Sequence, residues 1–441
     1  MNFMIFLIGG ITLAGCSSLS SSSRKPASTP VTNPQNNPEQ TPVNPTPEPS
    51  VNPIPVDPTP QPCTPATTKL PPTIKDFWEG RAVLGSKTLI SFEGAPENTT
   101  MGLKTTARPT LIDGADGKIY AYLRLARSEL VGKDPVFDMY LATSQDRGLK
   151  FEIQPDPVIK RDEVIKLSDQ TVNLLQKYYQ PGDITRIRDG GATDLQTAYD
   201  GDVIHLKDGY YMLFECGVLA CTGGVSACLA FSQDGLSNWK TIGVPVCPMY
   251  RPDGCTPTSC SGAVPNFLQE ENGKLSLQWA NVDGDAKLTT HHQAPFGTNL
   301  AETITIDPRD GQLPQNSLVG EKGYAWDSKN FGSGDIVAED GTYYLFYEGA
   351  NNYGCLAAAP EVTSHWGIGM AKTSTPSDPA SWTLSQRNPL IMSNSTNTCW
   401  MGYPSIMKID GRYYLYYFDP FFEWSEAGTK TIYRQEMIWG Q

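Results

Sequence analysis

The 441-residue sequence is short of charge, and of positive charge above all. Lys and Arg number 34 against 47 Asp and Glu, and charged residues make up only 18 % of the chain. With a formal net charge of −13, the clustered Lys/Arg footprint that nucleic-acid binding needs is not expected. Long hydrophobic runs are scarce as well. The apolar stretch "FMIFLIGGITLAG", Phe3 to Gly15, falls short of the roughly 20 residues of a membrane-spanning helix. Paired C-x2-C spacings are missing, which argues against a zinc site. No Gly-rich phosphate loop, Ser-His-Asp order or Cys-His nucleophile signature stands out.

What the sequence has in quantity is Gly (40) and Pro (36), beside 39 % apolar residues. That composition describes a turn-rich, β-rich chain. Its length allows two or three domains, or one large all-β domain after a tail. The apolar start reads as an export signal over residues 1–15, and it ends in "LAGC" at Cys16. That ending resembles the lipobox of bacterial lipoproteins, which implies a lipidated Cys16, a bilayer as partner and a place in the bacterial cell envelope. Residues 16–73 are Ser-, Thr-, Asn- and Pro-rich, with sixteen of the 36 prolines between Pro26 and Pro72. Such a segment has too little apolar surface to fold and reads as an extended tether. The folded part is expected at 74–441. Outside the cytoplasm its eight cysteines, Cys216, Cys221, Cys228, Cys247, Cys255, Cys260, Cys355 and Cys399, can form up to four disulfides. The six from Cys216 to Cys260 are expected to staple long loops, and Cys355 to pair with Cys399.

One motif recurs along the folded part. "ADGKIYAYL" at Asp116, "KDGYYMLF" at Asp208, "ENGKLSLQW" at Asn272, "EDGTYYLFY" at Asp340 and "IDGRYYLYY" at Asp410 are spaced 92, 64, 68 and 70 residues apart. Each follows a short apolar strand, so strand, Asp-Gly or Asn-Gly turn and aromatic strand form a hairpin. A third strand and a polar turn follow most of them, as in "CLAFSQDGLSNW" from Cys228. Five units of about four strands predict a five-bladed β-propeller around a central channel. The long first interval holds "RDEVIKLSDQTVNLLQKYY", Arg161–Tyr179, which reads as a helical insertion.

Topology then selects residues. The first strand of each unit (A) starts, and the second (B) ends, on one rim, with the Asp-Gly turns on the far face. The A-strand starts read "ARPTLI", "YDGDVI", "AVPNFL", "GSGDIV" and "GYPSIM". Only blades 2 and 4 place a carboxylate inside this motif, Asp202 and Asp335, where blades 3 and 5 have Asn266 and Ser405. Asp194 and Asp327 each lie eight residues earlier, and Glu215 and Glu348 end the B strands. Acidic side chains are thus expected to oppose one another across the channel, with Asp202 and Asp335 catalytic together with Asp200 and Glu348. Opposed carboxylates suit glycoside hydrolysis, in which one donates a proton to the leaving oxygen and another activates water or attacks the sugar. The same groups would alternatively cap turns or hold a channel Ca²⁺. No other cofactor is expected.

These hairpins, with turns such as "AFSQDGLSNW", resemble the five-bladed glycoside hydrolases of family 43 and their relatives over essentially all of Ile74–Gln441. "YAWDSKNFGSGDIVAEDGTYYLFYEG" is the most specific stretch. The resemblance implies hydrolysis of sugars, often furanosides, by a rim of acidic residues. Of the family's catalytic positions, the blade-2 Asp has a counterpart in Asp200. Arg108 stands at the position of the blade-1 Asp, and Ala263 at that of the blade-3 Glu.

Arg108, Asp194, Asp327, Glu215, Trp326, Trp400 and Tyr403 are the expected substrate contacts, the aromatics by stacking on sugar faces. His291-His292 is read as a solvated loop pair rather than a metal site. Two functions stay open: a monomeric, lipid-anchored glycoside hydrolase acting on an oligo- or polysaccharide, and a non-catalytic propeller that binds glycan or protein at the same rim.

Overall fold

The computed structural model describes residues 70–440 apart from 98, 101–108, 128–136, 161–162, 179–191, 195–196, 218–225, 247–258, 284–287, 298–299, 301–304, 307–326, 328–329, 351–365, 393–401 and 420–431. The signal, Cys16, nearly all of the tether, Arg108, Trp326 and Trp400 lie outside the described residues.

The fold is a five-bladed propeller. Blade 1 holds Thr110–Asp113, Ile119–Arg127, Phe137–Ser144 and Lys150–Ile159; blade 2 holds Thr197–Leu206, Gly209–Gly217, Ser226–Ser232 and Lys240–Val246. Blade 3 shows three strands among the described residues, Ser259–Gln269, Leu275–Asp283 and Leu288–Gly297. Blade 4 is Asn330–Glu339, Thr342–Ala350, Trp366–Thr373 and Thr383–Leu384. Blade 5 takes Gly402–Ile409, Arg412–Phe418 and Ile432–Trp439 from the C-terminus, and its outer strand, Ala82–Leu84, from the N-terminus. The ring is therefore closed by joining the first strand of the folded part to the last. A short helix α1 (Ile74–Trp78), with Thr73 and Asp76 forming a capping box, precedes that strand and buries Phe77 near Phe346.

The aromatic B strands explain the core. Side chains alternate across a strand, so "YYMLF" and "YYLFY" present large residues to the blades on both sides. Five apolar clusters result, one in each blade-to-blade interface. Tyr122 of blade 1, for example, meets Trp239 of blade 2 edge-on at 5.4 Å, and Tyr416 and Phe418 of blade 5 pack with Leu123 and Phe151 of blade 1.

Three expectations change. The insertion between blades 1 and 2 is only partly helical: Val164–Lys166 is a strand paired with Ala192–Asp194, and α2 covers Asp169–Tyr178. Its β-branched start, "VIK", finds a partner strand and so does not extend the helix. Cys216 and Cys228 form a disulfide between neighbouring strands of blade 2, where loop-to-loop staples were expected. Cys221, Cys247, Cys255, Cys355, Cys399 and the side chain of Cys260 are outside the described residues. Finally, His291 and His292 lie on a blade-3 strand and are buried, because adjacent strand positions here face neighbouring strands and blades rather than solvent.

Candidate active site

Every A strand from blade 2 to blade 5 loses register with its B strand near the channel end, between Tyr199 and Gly201, Ala263 and Asn266, Phe331 and Gly334, and Gly402 and Ser405. Such bulges re-aim one side chain. In three blades the extra residue has positive φ: Asp200 (37°), Val264 (42°) and Tyr403 (50°). Aspartate tolerates this region, whereas a β-branched valine is strained there.

The ends of the B strands hold these residues in place. Glu215 Oε1 accepts the Val264 N–H at 2.5 Å, blade 2 gripping blade 3. Glu348 Oε2 accepts the Tyr403 N–H at 2.9 Å, blade 4 gripping blade 5. At the same station blade 1 carries Arg124, whose Nη1 donates to Asp200 Oδ2 at 3.0 Å. Both side chains of that ion pair are enclosed, at 0 % and 1 % exposure. A Cβ on Gly332 or on Gly402 would overlap the Glu348 carboxyl, so two glycines from adjacent blades make its cradle.

Asp202 and Asp335 do something else. Their Oδ1 atoms accept their neighbours' N–H groups, Val203 at 3.0 Å and Ile336 at 2.8 Å. Asp202 Oδ2 accepts the Phe267 N–H at 2.7 Å, and Asp335 Oδ2 accepts the Ile406 N–H at 2.7 Å and the Ser405 hydroxyl at 3.0 Å. The expectation that they face each other across the channel is corrected: each turns sideways onto the next blade. Those backbone donors have no other strand to bond, and a carboxylate satisfies them strongly.

Charge gathers instead around Tyr403. Its ring packs against Ala263, Val264 and Ala280 of blade 3 and lies 5.3 Å from Phe418. Burial, then the carboxylates of Asp200 and Glu348, hold its phenol well above the usual range; Arg124 acts in the opposite sense and Glu215 adds to the rise. Blades 1, 2 and 4 therefore direct one cation and three carboxylates at a tyrosine from blade 5. The residue keeps part of its surface open while its hydroxyl is enclosed.

No family model matches this sequence, and no curated protein matches it. Among solved structures, a BT0996 complex with RGII is similar with a TM-score of 0.51 at 13 % identity, over 82 % of this protein and 94 % of that one. A thermostable family-43 glycoside hydrolase gives 0.47 at 15 % identity, over 79 % and 92 %. The native Bacillus subtilis arabinanase Arb43A gives 0.43 at 10 %, over 75 % and 94 %. The structural neighbours thus include family-43 glycoside hydrolases. At these identities the likeness is one of fold, the five-bladed propeller that the repeats predict.

Of the expected site residues, the structure brings together Asp200, Glu215, Glu348 and Tyr403. Asp327 lies apart, on the blade-4 face toward blade 3, where its Oδ2 accepts the Tyr347 hydroxyl at 3.0 Å. Burial raises its carboxyl to about 6. Asp194 sits on the insertion's strand pair, with its side chain outside the described residues. Among the described residues no group of three or more His, Cys, Asp or Glu side chains is placed to hold a metal ion. Arg124 was not anticipated. A count reveals it: Arg124, Ala280, Glu348 and Phe418 each stand eight residues after the turn's Asp or Asn, and Glu215 seven.

Proposed function

We propose that this propeller is a glycoside hydrolase acting on an oligo- or polysaccharide, furanosides included, at the channel end around Tyr403. The observation that carries this reading is the meeting of Asp200, Glu215 and Glu348 with Arg124 at one tyrosine, at the channel end of a five-bladed propeller. Three acidic groups near a single cation crowd like charges, and crowding favours a proton kept among them. Asp200 is the member that Arg124 holds in place. A glutamate is then the proton donor to the leaving oxygen, and a second carboxylate activates water or attacks the anomeric carbon. The open part of the Tyr403 ring offers an apolar face to the sugar, with Arg108, Asp194, Trp326 and Trp400 as further contacts. In this proposal the carboxylates act without a cofactor. In the same proposal Cys16 carries a lipid, and the propeller works as a monomer outside the cytoplasm.

The test is a panel of furanosidic and pyranosidic glycans, read by release of reducing sugar. The wild-type protein should cleave at least one, and Glu348→Gln should lower kcat at least about 10²-fold, the scale of a lost general acid or base. Wild-type rates in Glu348→Gln would remove this assignment. Binding of a glycan without cleavage would favour the second reading, a recognition module, for which the capture of Glu215 and Glu348 by backbone N–H groups is the supporting observation.

A further inference from the structure

We infer that Arg124 is a positioning residue for Asp200, an inference that rests on the hydrolase reading above. The ring repeats one device: the residue ending a B strand reaches forward to the bulged residue of the next blade. In blades 2 and 4 that residue is a glutamate, and it takes the backbone N–H of Val264 or Tyr403. In blade 1 it is a cation, and it takes a side chain, the Asp200 carboxylate. Swapping Glu for Arg at this station changes what is held, from a strained backbone to a catalytic oxygen. Asp200 alone among the described bulge residues is charged, and alone is gripped by a cation.

The pair is built to stay in place. The guanidinium lies over the Phe137 ring at 4.8 Å, and neither partner reaches solvent. Asp200 Oδ2 is committed to Arg124, while Oδ1 has no hydrogen-bond partner and is buried. Arg124 therefore anchors one oxygen of the carboxyl and leaves Oδ1, on the other side, without a hydrogen-bond partner. The grip is a single N–H, from Nη1 to Oδ2, held by a guanidinium that is itself seated on an aromatic face.

Kinetics of Arg124→Met, Arg124→Lys, Asp200→Asn and the Arg124→Met/Asp200→Asn double variant test the inference. Misplacing a reacting group by about 1 Å costs on the order of 10²-fold, so Arg124→Met should lose about that factor in kcat with KM nearly unchanged. Arg124→Lys should regain part of it. Because Arg124 acts through Asp200, the double variant should turn over like Asp200→Asn alone. It should also melt above Arg124→Met, since neither buried charge is left without its partner. Losses that multiply in the double variant, a change in KM alone, or a wild-type kcat in Arg124→Met would overturn the inference. A wild-type protein that cleaves no glycan would overturn the hydrolase reading itself, and the inference with it.

Discussion

Asp327 shows how a single buried carboxyl can matter without touching the candidate site. Burial lifts it from 3.8 to about 6, so the folded state holds its proton where the unfolded chain has lost it. Its contribution to stability is complete below pH 3.8 and disappears as pH rises through 6. His291 runs the other way. Burial lowers it from 6.5 to about 3, so its contribution is complete above 6.5 and is lost as pH falls toward 3. Between pH 4 and 6 the two slopes oppose each other. Asp327→Asn keeps an acceptor for Tyr347 and removes one slope. The variant should unfold at higher temperature than wild type at pH 8, with no such gain at pH 4. Unfolding midpoints across this range check it, and a variant whose pH dependence matches the wild type would refute the account.

At the scale of the strand, the repeated device is the forward grip from one blade to the next. Asp202 and Asp335 use both oxygens on backbone N–H groups, and Thr110 of blade 1 donates its hydroxyl to the Gly201 carbonyl at the equivalent station. A propeller has few hydrogen bonds between its sheets, so each such tie fixes the stagger of neighbouring blades. Asp202→Ala and Asp335→Ala each leave inner-strand donors unsatisfied, a loss of about 1–3 kcal/mol. Chemical denaturation should show that loss in each, while turnover per folded molecule stays near wild type. A folded Asp202→Ala protein with turnover reduced a hundredfold would return Asp202 to the reacting groups.

The propeller is a ring shut by the first strand of its own folded part. Ala82–Leu84 adds to blade 5, α1 packs Phe77 into the interface of blades 4 and 5, and Arg387 of blade 4 donates to the Phe77 carbonyl. The first described helix, capped by Thr73, follows the Pro-rich segment directly; in the proposal of a lipid on Cys16, that segment is the tether. Lipid rather than charge would then hold an acidic protein of net charge −13 at a membrane. A high-salt wash should leave the wild type in the membrane fraction, and Cys16→Ala should move it to the soluble fraction. Retention of Cys16→Ala on membranes would end the lipoprotein reading.

Local chemistry determined the architecture. Asp-Gly and Asn-Gly turns set each hairpin, the alternating aromatics set two buried faces per blade, and five repeats set the number of blades. None of these needs knowledge of distant residues. The same reading narrowed the rim to a few acidic positions, since strand starts and ends follow from the turns. Which of those carboxylates meet was decided only in three dimensions. Asp202 and Asp200 are two residues apart, yet a bulge sends one to the next blade and the other to the cluster around Tyr403. A bulge leaves no fixed trace in sequence, because Asp200-Gly201, Val264-Pro265 and Tyr403-Pro404 all adopt it. Arg124 stayed hidden for a related reason. Its partner is 76 residues away, and only the packing of successive blades brings the end of one blade's second strand against the bulge of the next.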